Sequence, residues 1–412
     1  MKEELMKQRK SLSVCFILIL FLSSCAKEER KEQQELWPTE GWTTSTPEEQ
    51  GVDEALLSDL DAKFASGDYG YIDGFLIVRN GYLVYEKSYD HDYAKIRAEF
   101  GNNPILDRQD NLEFNYYHPD YHPFYQGTKL HTLQSATKSV ASTVIGIAIG
   151  RNEIPGVDVK VLGYFKDHDV QNVDERKKRM TLEDLLTMRP GFEWYENLPL
   201  EDPDNSCTQL EKAEDWIGFT INHPMEFEPG TVFEYCSGAS QLLSAITKQA
   251  TGMHADEYAE KYLFQPLGIT QYHWKKTPKG FADTEGGLYL AARDLAKLGY
   301  LFLKDGIWEG KRILPEGWIQ SAVHPHVADT APDNDRVNTA YGYQWWLLPL
   351  DDQSQEYVFA AMGFGGQYLM VSPKSNLIAV FNGWNIFDIP RLPELEIVSE
   401  YLAKIVQTGK AR

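Results

Sequence analysis

Cysteine is scarce in this chain. Four are present in 412 residues, and Cys15 and Cys25 lie in the N-terminal 25. Only Cys207 and Cys236 remain for the body of the protein, too few for a disulfide framework, and the reading here is of two unpaired thiols. Positive charge is the minority sign: 40 Lys and Arg stand against 61 Asp and Glu, a net charge of −21. That balance argues against nucleic acid as a partner, because phosphate binding needs clustered Lys and Arg. The apolar stretch Val14 to Leu22 is too short to span a bilayer comfortably.

What the N-terminus does have is a basic start (Lys2, Lys7, Arg9, Lys10), that short apolar core, and then Leu22-Ser-Ser-Cys25. This pattern predicts an export signal over residues 1–24. Leu-Ser-Ser-Cys resembles the bacterial lipobox, which makes Cys25 the expected lipidation site and the membrane a partner through that anchor. The expected location is the bacterial cell envelope, at the periplasm or the cell surface. Residues 25–40 begin with a Lys-, Glu- and Gln-rich stretch without apolar periodicity and read as a flexible tether.

The body is 42% hydrophobic in a chain of 412 residues, ample for one large domain or two interleaved ones. Asp53 to Phe64 has helical spacing. Gly74 to Tyr89 reads as a hairpin turning at Asn80-Gly81. Helical patterns follow at Ser135 to Gly150, Thr181 to Met188, Gln241 to Thr251 and Ala291 to Leu303. From Tyr341 the pattern turns to short β-rich runs, and Pro390 to Gln407 reads as a closing helix. Strands at both ends and helices between predict an α+β fold: one sheet from the N- and C-terminal segments, flanked by helices, with an inserted helical lobe. The expected division is about 41–135 and 335–412 for the sheet part and about 136–334 for the lobe.

An aromatic stretch runs from Asn115 to Tyr125. It carries His118 and His122, but Pro119 and Pro123 break the helix that would put both imidazoles on one face. A packed loop walling a pocket is the better expectation, and no metal is expected.

Ser135-Ala-Thr-Lys138 is the most informative motif. Residues three apart share a helix face, so Lys138 can stand beside Ser135 and take its hydroxyl proton, which turns a poor nucleophile into a good one. Burial is expected to lower the lysine pKa for that task. Glu228-Pro-Gly-Thr-Val-Phe-Glu-Tyr235-Cys-Ser237 places a turn before Tyr235 and Ser237. Two apart on an extended segment, these would point the same way. A tyrosine near a lysine can protonate a leaving group. Gly363-Phe-Gly-Gly-Gln367 opens a strand where a substrate can approach the backbone, with a backbone N–H there and the Ser135 N–H as an oxyanion pair.

Together and in this order, the three motifs resemble the serine β-lactamase and penicillin-recognising superfamily. The nearest branch holds class C β-lactamases, D-alanyl-D-alanine carboxypeptidases, family VIII esterases and 6-aminohexanoate-dimer hydrolases. Leu185-Leu-Thr-Met-Arg-Pro-Gly191, Phe264-Gln-Pro-Leu-Gly268 and Gly286-Gly-Leu add to the likeness. The resemblance implies Ser135 as acylated nucleophile, Lys138 as general base and Tyr235 as proton shuttle. It puts Ser237, Phe364 and Gly365 on the substrate side, with the Phe364 N–H at the oxyanion. It implies no cofactor.

The chain departs from the β-lactamases and carboxypeptidases in one place. These carry a Lys or His before the Thr-Gly of the strand lining the site, where Ala360-Ala-Met362 precedes Gly363 here. An anionic substrate would lose a contact worth roughly 1.5–3 kcal/mol. The expectation is therefore a serine hydrolase acting on a neutral ester or a linear amide. A β-lactamase or D-alanyl-D-alanine carboxypeptidase activity, or a catalytically inactive binding protein of the same fold, are the rival readings. The hydrolase branch also uses a second tyrosine from the lobe, and Tyr195 lies in the comparable loop.

Overall fold

The computed structural model describes residues 35–100, 129–331, 339–350, 356–386 and 396–405. The expected export signal with Cys25, and the loop with His118 and His122, lie outside the described residues.

A seven-stranded sheet joins the two ends of the chain. Its strands are β1 (Ile72–Arg79), β2 (Tyr82–Ser88), β3 (Ala340–Tyr341), β4 (Trp346–Pro349), β5 (Tyr357–Gly363), β6 (Gln367–Ser372) and β7 (Leu377–Gly383). The order across the sheet is β2-β1-β7-β6-β5-β4-β3. The described pairings are antiparallel. The first strand lies beside the last, Phe75 opposite Phe381. The β1–β2 hairpin turns at Asn80 and Gly81, with φ of 53° and 85°, the left-handed pair that a tight hairpin requires.

Side chains alternate across this sheet and feed two cores. Leu76, Val78, Leu369, Val371, Ile378 and Val380 belong to the larger core. Phe75, Ile77, Tyr368, Met370, Ala379 and Phe381 belong to the other. Helix α1 (Glu54–Ser66) buries Leu57, Leu60 and Phe64 in the second core. The Asp53 carboxylate caps its start and Gly67, at φ 81°, ends it. Ile397–Leu402 adds Ile397, Val398 and Leu402 to the same core; the described part of the expected closing helix is wound as a π-helix.

Three longer helices feed the larger core: α2 (Thr137–Gly150), α3 (Ser237–Thr251) and α4 (Ala292–Leu303). A side chain at Gly299 of α4 would press on Leu369, Val371 and Ile378 at 3.0–3.2 Å, so glycine there lets the helix lie close on the sheet. Helix α3 begins four residues before the sequence pattern suggests. The Cys236 thiol caps it by accepting from the Ala239 N–H at 3.3 Å.

Phe64 is buried and meets Tyr69, Phe75, Tyr89 and Phe381 edge-on, with ring centroids 5.2–5.9 Å apart. Phe64→Ala is expected to cost about 3–5 kcal/mol, read as a lower urea midpoint at unchanged slope. A loss below about 1 kcal/mol, outside that range, would show that this aromatic cluster does not hold the sheet to α1.

Candidate active site

Ser135 sits in a single 3-10 turn, Gln134–Ala136, that runs straight into α2. Gln134 has φ 48°, a left-handed conformation that costs a non-glycine residue on the order of 1–3 kcal/mol and needs support around it. The support comes from both flanks. On one side, His131–Thr132 pairs with Leu288–Leu290. Leu133 N donates to Leu288 O at 2.9 Å, and Leu288 N donates to Thr137 Oγ1 at 3.1 Å. His131 Nε2 meets the buried Asp73 carboxylate at 2.8 Å, and the Tyr93 hydroxyl donates to the same carboxylate. On the other side lies the end of β5. A side chain at Gly363 would overlap the Leu133 carbonyl oxygen and stand 3.0 Å from Gln134 Cβ. Glycine is thus required at 363 by the turn that carries Ser135, where the sequence reading expected substrate approach.

Lys138, 1% exposed, reaches back along the helix. Its Nζ lies 2.9 Å from Ser135 Oγ, 2.7 Å from the Glu285 carbonyl oxygen and 3.3 Å from Glu285 Oε2. It stands 5.2 Å from the centre of the Tyr235 ring. The sequence reading expects burial to depress its pKa. Burial does push that way, but Tyr235, Glu285 and Glu196 together outweigh it, and the net direction is upward.

Tyr235 arrives on a loop that is held at several points. Gly230, at φ 81°, makes the turn, and its N–H donates to Arg189 O at 2.8 Å. Glu234 N donates to Met188 O at 2.9 Å, and Cys236 N to Met188 Sδ at 3.4 Å. The Tyr235 ring stacks on Trp346 at 5.7 Å and 24°. Phe233 packs edgewise on Trp346 and tilted on Tyr341. Burial pushes the Tyr235 phenol up, against the pull of Lys138.

Ser237 does not run on beside Tyr235 as an extended segment would have it. It is the first residue of α3, and Glu196 takes both its polar groups. Ser237 Oγ donates to Glu196 Oε1 at 2.6 Å and Ser237 N to Oε2 at 2.7 Å. Trp194 Nε1 donates to the same Oε2 at 2.9 Å. Burial raises the Glu196 pKa, opposed by Lys138 and Ser237. Phe364 and Gly365 lie in the hairpin turn between β5 and β6, where Gly365 has φ 83° and Gly366 φ 94°. Gly365 O accepts from Asn385 N at 2.9 Å, and Phe364 packs against the small core around Trp384 and Ile386. Tyr195 is 40% exposed, and its hydroxyl donates to Glu193 at 3.2 Å. Cys207 and Cys236 are both buried, and no disulfide joins them.

The structure therefore gathers Ser135, Lys138 and Tyr235 at one point and adds three residues that sequence reasoning missed. Glu285 directly precedes Gly286-Gly-Leu, a motif visible in the sequence, so its neighbourhood was marked. Glu196 and Trp346 carried no signal in spacing or composition. Ser237→Ala, which removes one of the three donors to the buried Glu196 carboxylate, is expected to cost about 1–3 kcal/mol in urea unfolding. An unchanged midpoint would mean that Glu196 does not depend on this hydroxyl.

The beta-lactamase family profile matches residues 74–383. The 6-aminohexanoate-dimer hydrolase of Paenarthrobacter ureafaciens is 24% identical over 265 residues, 61% of this chain and 65% of that enzyme. The aligned stretch thus spans under two thirds of the hydrolase. Among solved structures, a Bacillus anthracis protein provisionally assigned as a 6-aminohexanoate-dimer hydrolase aligns over 88% of this chain and 87% of its own, with TM-score 0.63 and 20% identity. A family VIII carboxylesterase aligns over 85% and 98%, with TM-score 0.56 and 15% identity. At such identities the structural likeness speaks to the fold alone. The family profile covers the sheet ends, the nucleophile turn, the Tyr235 loop and the Gly363 hairpin in one span, and the chain belongs to the beta-lactamase family.

Proposed function

We propose that this protein is a serine hydrolase that cleaves an ester or linear amide bond through an acyl-enzyme on Ser135. The observation that carries the reading is the 2.9 Å contact between Ser135 Oγ and a buried Lys138 Nζ, with the Tyr235 ring centred 5.2 Å from the same nitrogen. In the reaction, Ser135 Oγ forms a bond to the substrate carbonyl carbon as its proton passes to the deprotonated Lys138 amine. The carbonyl electron pair moves to oxygen, facing the Ser135 and Phe364 backbone N–H groups. Collapse breaks the bond to the leaving group, which takes a proton from Lys138 through Tyr235. Water then attacks the acyl carbon along the reverse proton route and releases the acid and free Ser135.

The substrate class follows from charge. Ala360 and Ala361 are buried on β5, and Met362 precedes Gly363, so this strand offers no cation to a carboxylate at that point. Glu196 and Glu285 place two carboxyl groups behind the serine, in contact with Ser237 and Lys138. A neutral acyl group meets no penalty there. The aromatic faces of Trp346 and Phe233 beside Tyr235 suit an apolar substituent. The 6-aminohexanoate-dimer hydrolase relative supports an amide bond.

A fluorophosphonate probe is expected to label the wild-type protein at Ser135, with labelling abolished in Ser135→Ala. Labelling that survives the substitution contradicts the assignment. A chromogenic cephalosporin, which carries a carboxylate, is expected to turn over about 10- to 150-fold more slowly than a short neutral ester, the range set by a missing charge-assisted contact. Equal rates would favour the β-lactamase reading.

A further inference from the structure

We propose that Glu285 is a positioning residue for the general base: it fixes the direction in which Lys138 Nζ faces Ser135 and holds the proton on that nitrogen until the base is needed. The inference rests on the serine hydrolase reading above.

The geometry starts from what each atom can do. The Glu285 carbonyl and carboxylate oxygens only accept hydrogen bonds. Their contacts with Lys138, at 2.7 Å and 3.3 Å, therefore take two N–H groups of the amine. One tetrahedral position on Nζ remains, and it faces Ser135 Oγ at 2.9 Å. In the ammonium form that position is a third N–H donating to the serine oxygen. In the amine form it is the lone pair, aimed at the serine proton. Loss of one proton to solvent, as the pH rises through the Lys138 midpoint, thus converts the contact from one that ties down the nucleophile to one that activates it.

The location of Glu285 is built for this. It is 4% exposed and stands in a turn whose N–H groups, those of Glu285 and Gly286, point at Asp283 Oδ1 at 3.2 and 3.0 Å. Three residues after Glu285, Leu288 is tied to the Ser135 helix through Thr137. One short segment therefore holds both the serine turn and the partner of the lysine. Four groups face Lys138 from separate elements: Tyr235 from its loop, Glu196 from the lobe, Cys207 from the helix Ser206–Lys212, and Glu285. Around Glu285 itself lie Asp283, Glu211 and Cys207, with Lys275 facing Asp283. Of the carboxylates near Lys138, Glu285 alone is in ion-pair contact with it among the described residues. Asp283, pushed up to about 7 by burial and by the nearby Glu285 charge, reports the same negative field from the other side.

The test titrates Lys138 by NMR of carbon-13-labelled lysine, with the resonance assigned through Lys138→Arg, beside the pH dependence of fluorophosphonate labelling. In the wild type, Lys138 is expected to stay protonated above the ordinary lysine range. In Glu285→Gln, which keeps an accepting oxygen and removes the charge, the Lys138 midpoint is expected to fall by at least about one pH unit, and the acid limb of the labelling profile to move with it. Glu285→Asp is expected to return both toward wild type. An unshifted Lys138 midpoint in a protein that labels at Ser135 overturns this inference alone, and so does a wild-type midpoint below the ordinary lysine value, which needs no variant to fold. Absence of Ser135 labelling in the wild type overturns the hydrolase reading and this inference with it.

Discussion

A single buried nitrogen organises this molecule's candidate chemistry. Lys138 Nζ touches Ser135 Oγ and two oxygens of Glu285 at a point from which water is nearly excluded. An ammonium in such a place costs several kcal/mol unless it is paired and its donors are satisfied. The surrounding structure meets that demand. The Leu288–Leu290 strand pairs with His131–Thr132 and binds the start of α2, and the turn just before it carries Glu285. Removing any of these contacts would leave either the nucleophile turn or the charge behind it without support.

The same constraint explains where the large sheet matters. Strand β5 ends against the Leu133–Gln134 backbone so closely that only glycine fits at 363. Position 134 in turn is held in a left-handed conformation that it would not adopt alone. The sheet thus fixes the Ser135 turn from one side, while the lobe brings Tyr235 from another, its ring stacked on Trp346 of β4. The strand in front of the serine carries no cation at Ala360-Ala-Met362, and the proposed preference for a neutral acyl group rests on that.

Much of this was legible in the sequence, for identifiable reasons. The Asn80-Gly81 hairpin and the amphipathic helices at Glu54–Ser66 and Ala292–Leu303 rest on local rules of turn chemistry and period, and they stand within two residues of expectation. Ser135 and Lys138 share a helix face by spacing alone. What depends on contacts distant in sequence was not visible. Glu285 meets Lys138 across 147 positions, and Glu196 meets Ser237 across 41. The thiol cap of α3 replaces a residue type that ordinarily marks a helix start, so Ser237 was read as strand-like. The direction of the lysine's pKa shift was not legible for a related reason. Burial is readable from an apolar run, but the carboxylates that oppose it come from elsewhere in the chain.

The central claim is that Ser135 carries the acyl group during turnover. The direct measurement is mass spectrometry of protein quenched in acid during hydrolysis of a slow neutral ester, followed by peptide mapping. The account predicts an increment equal to the acyl group on the peptide containing Ser135, lost again when substrate is exhausted. Steady ester turnover with no increment on that peptide, or with the increment on another residue, would contradict it.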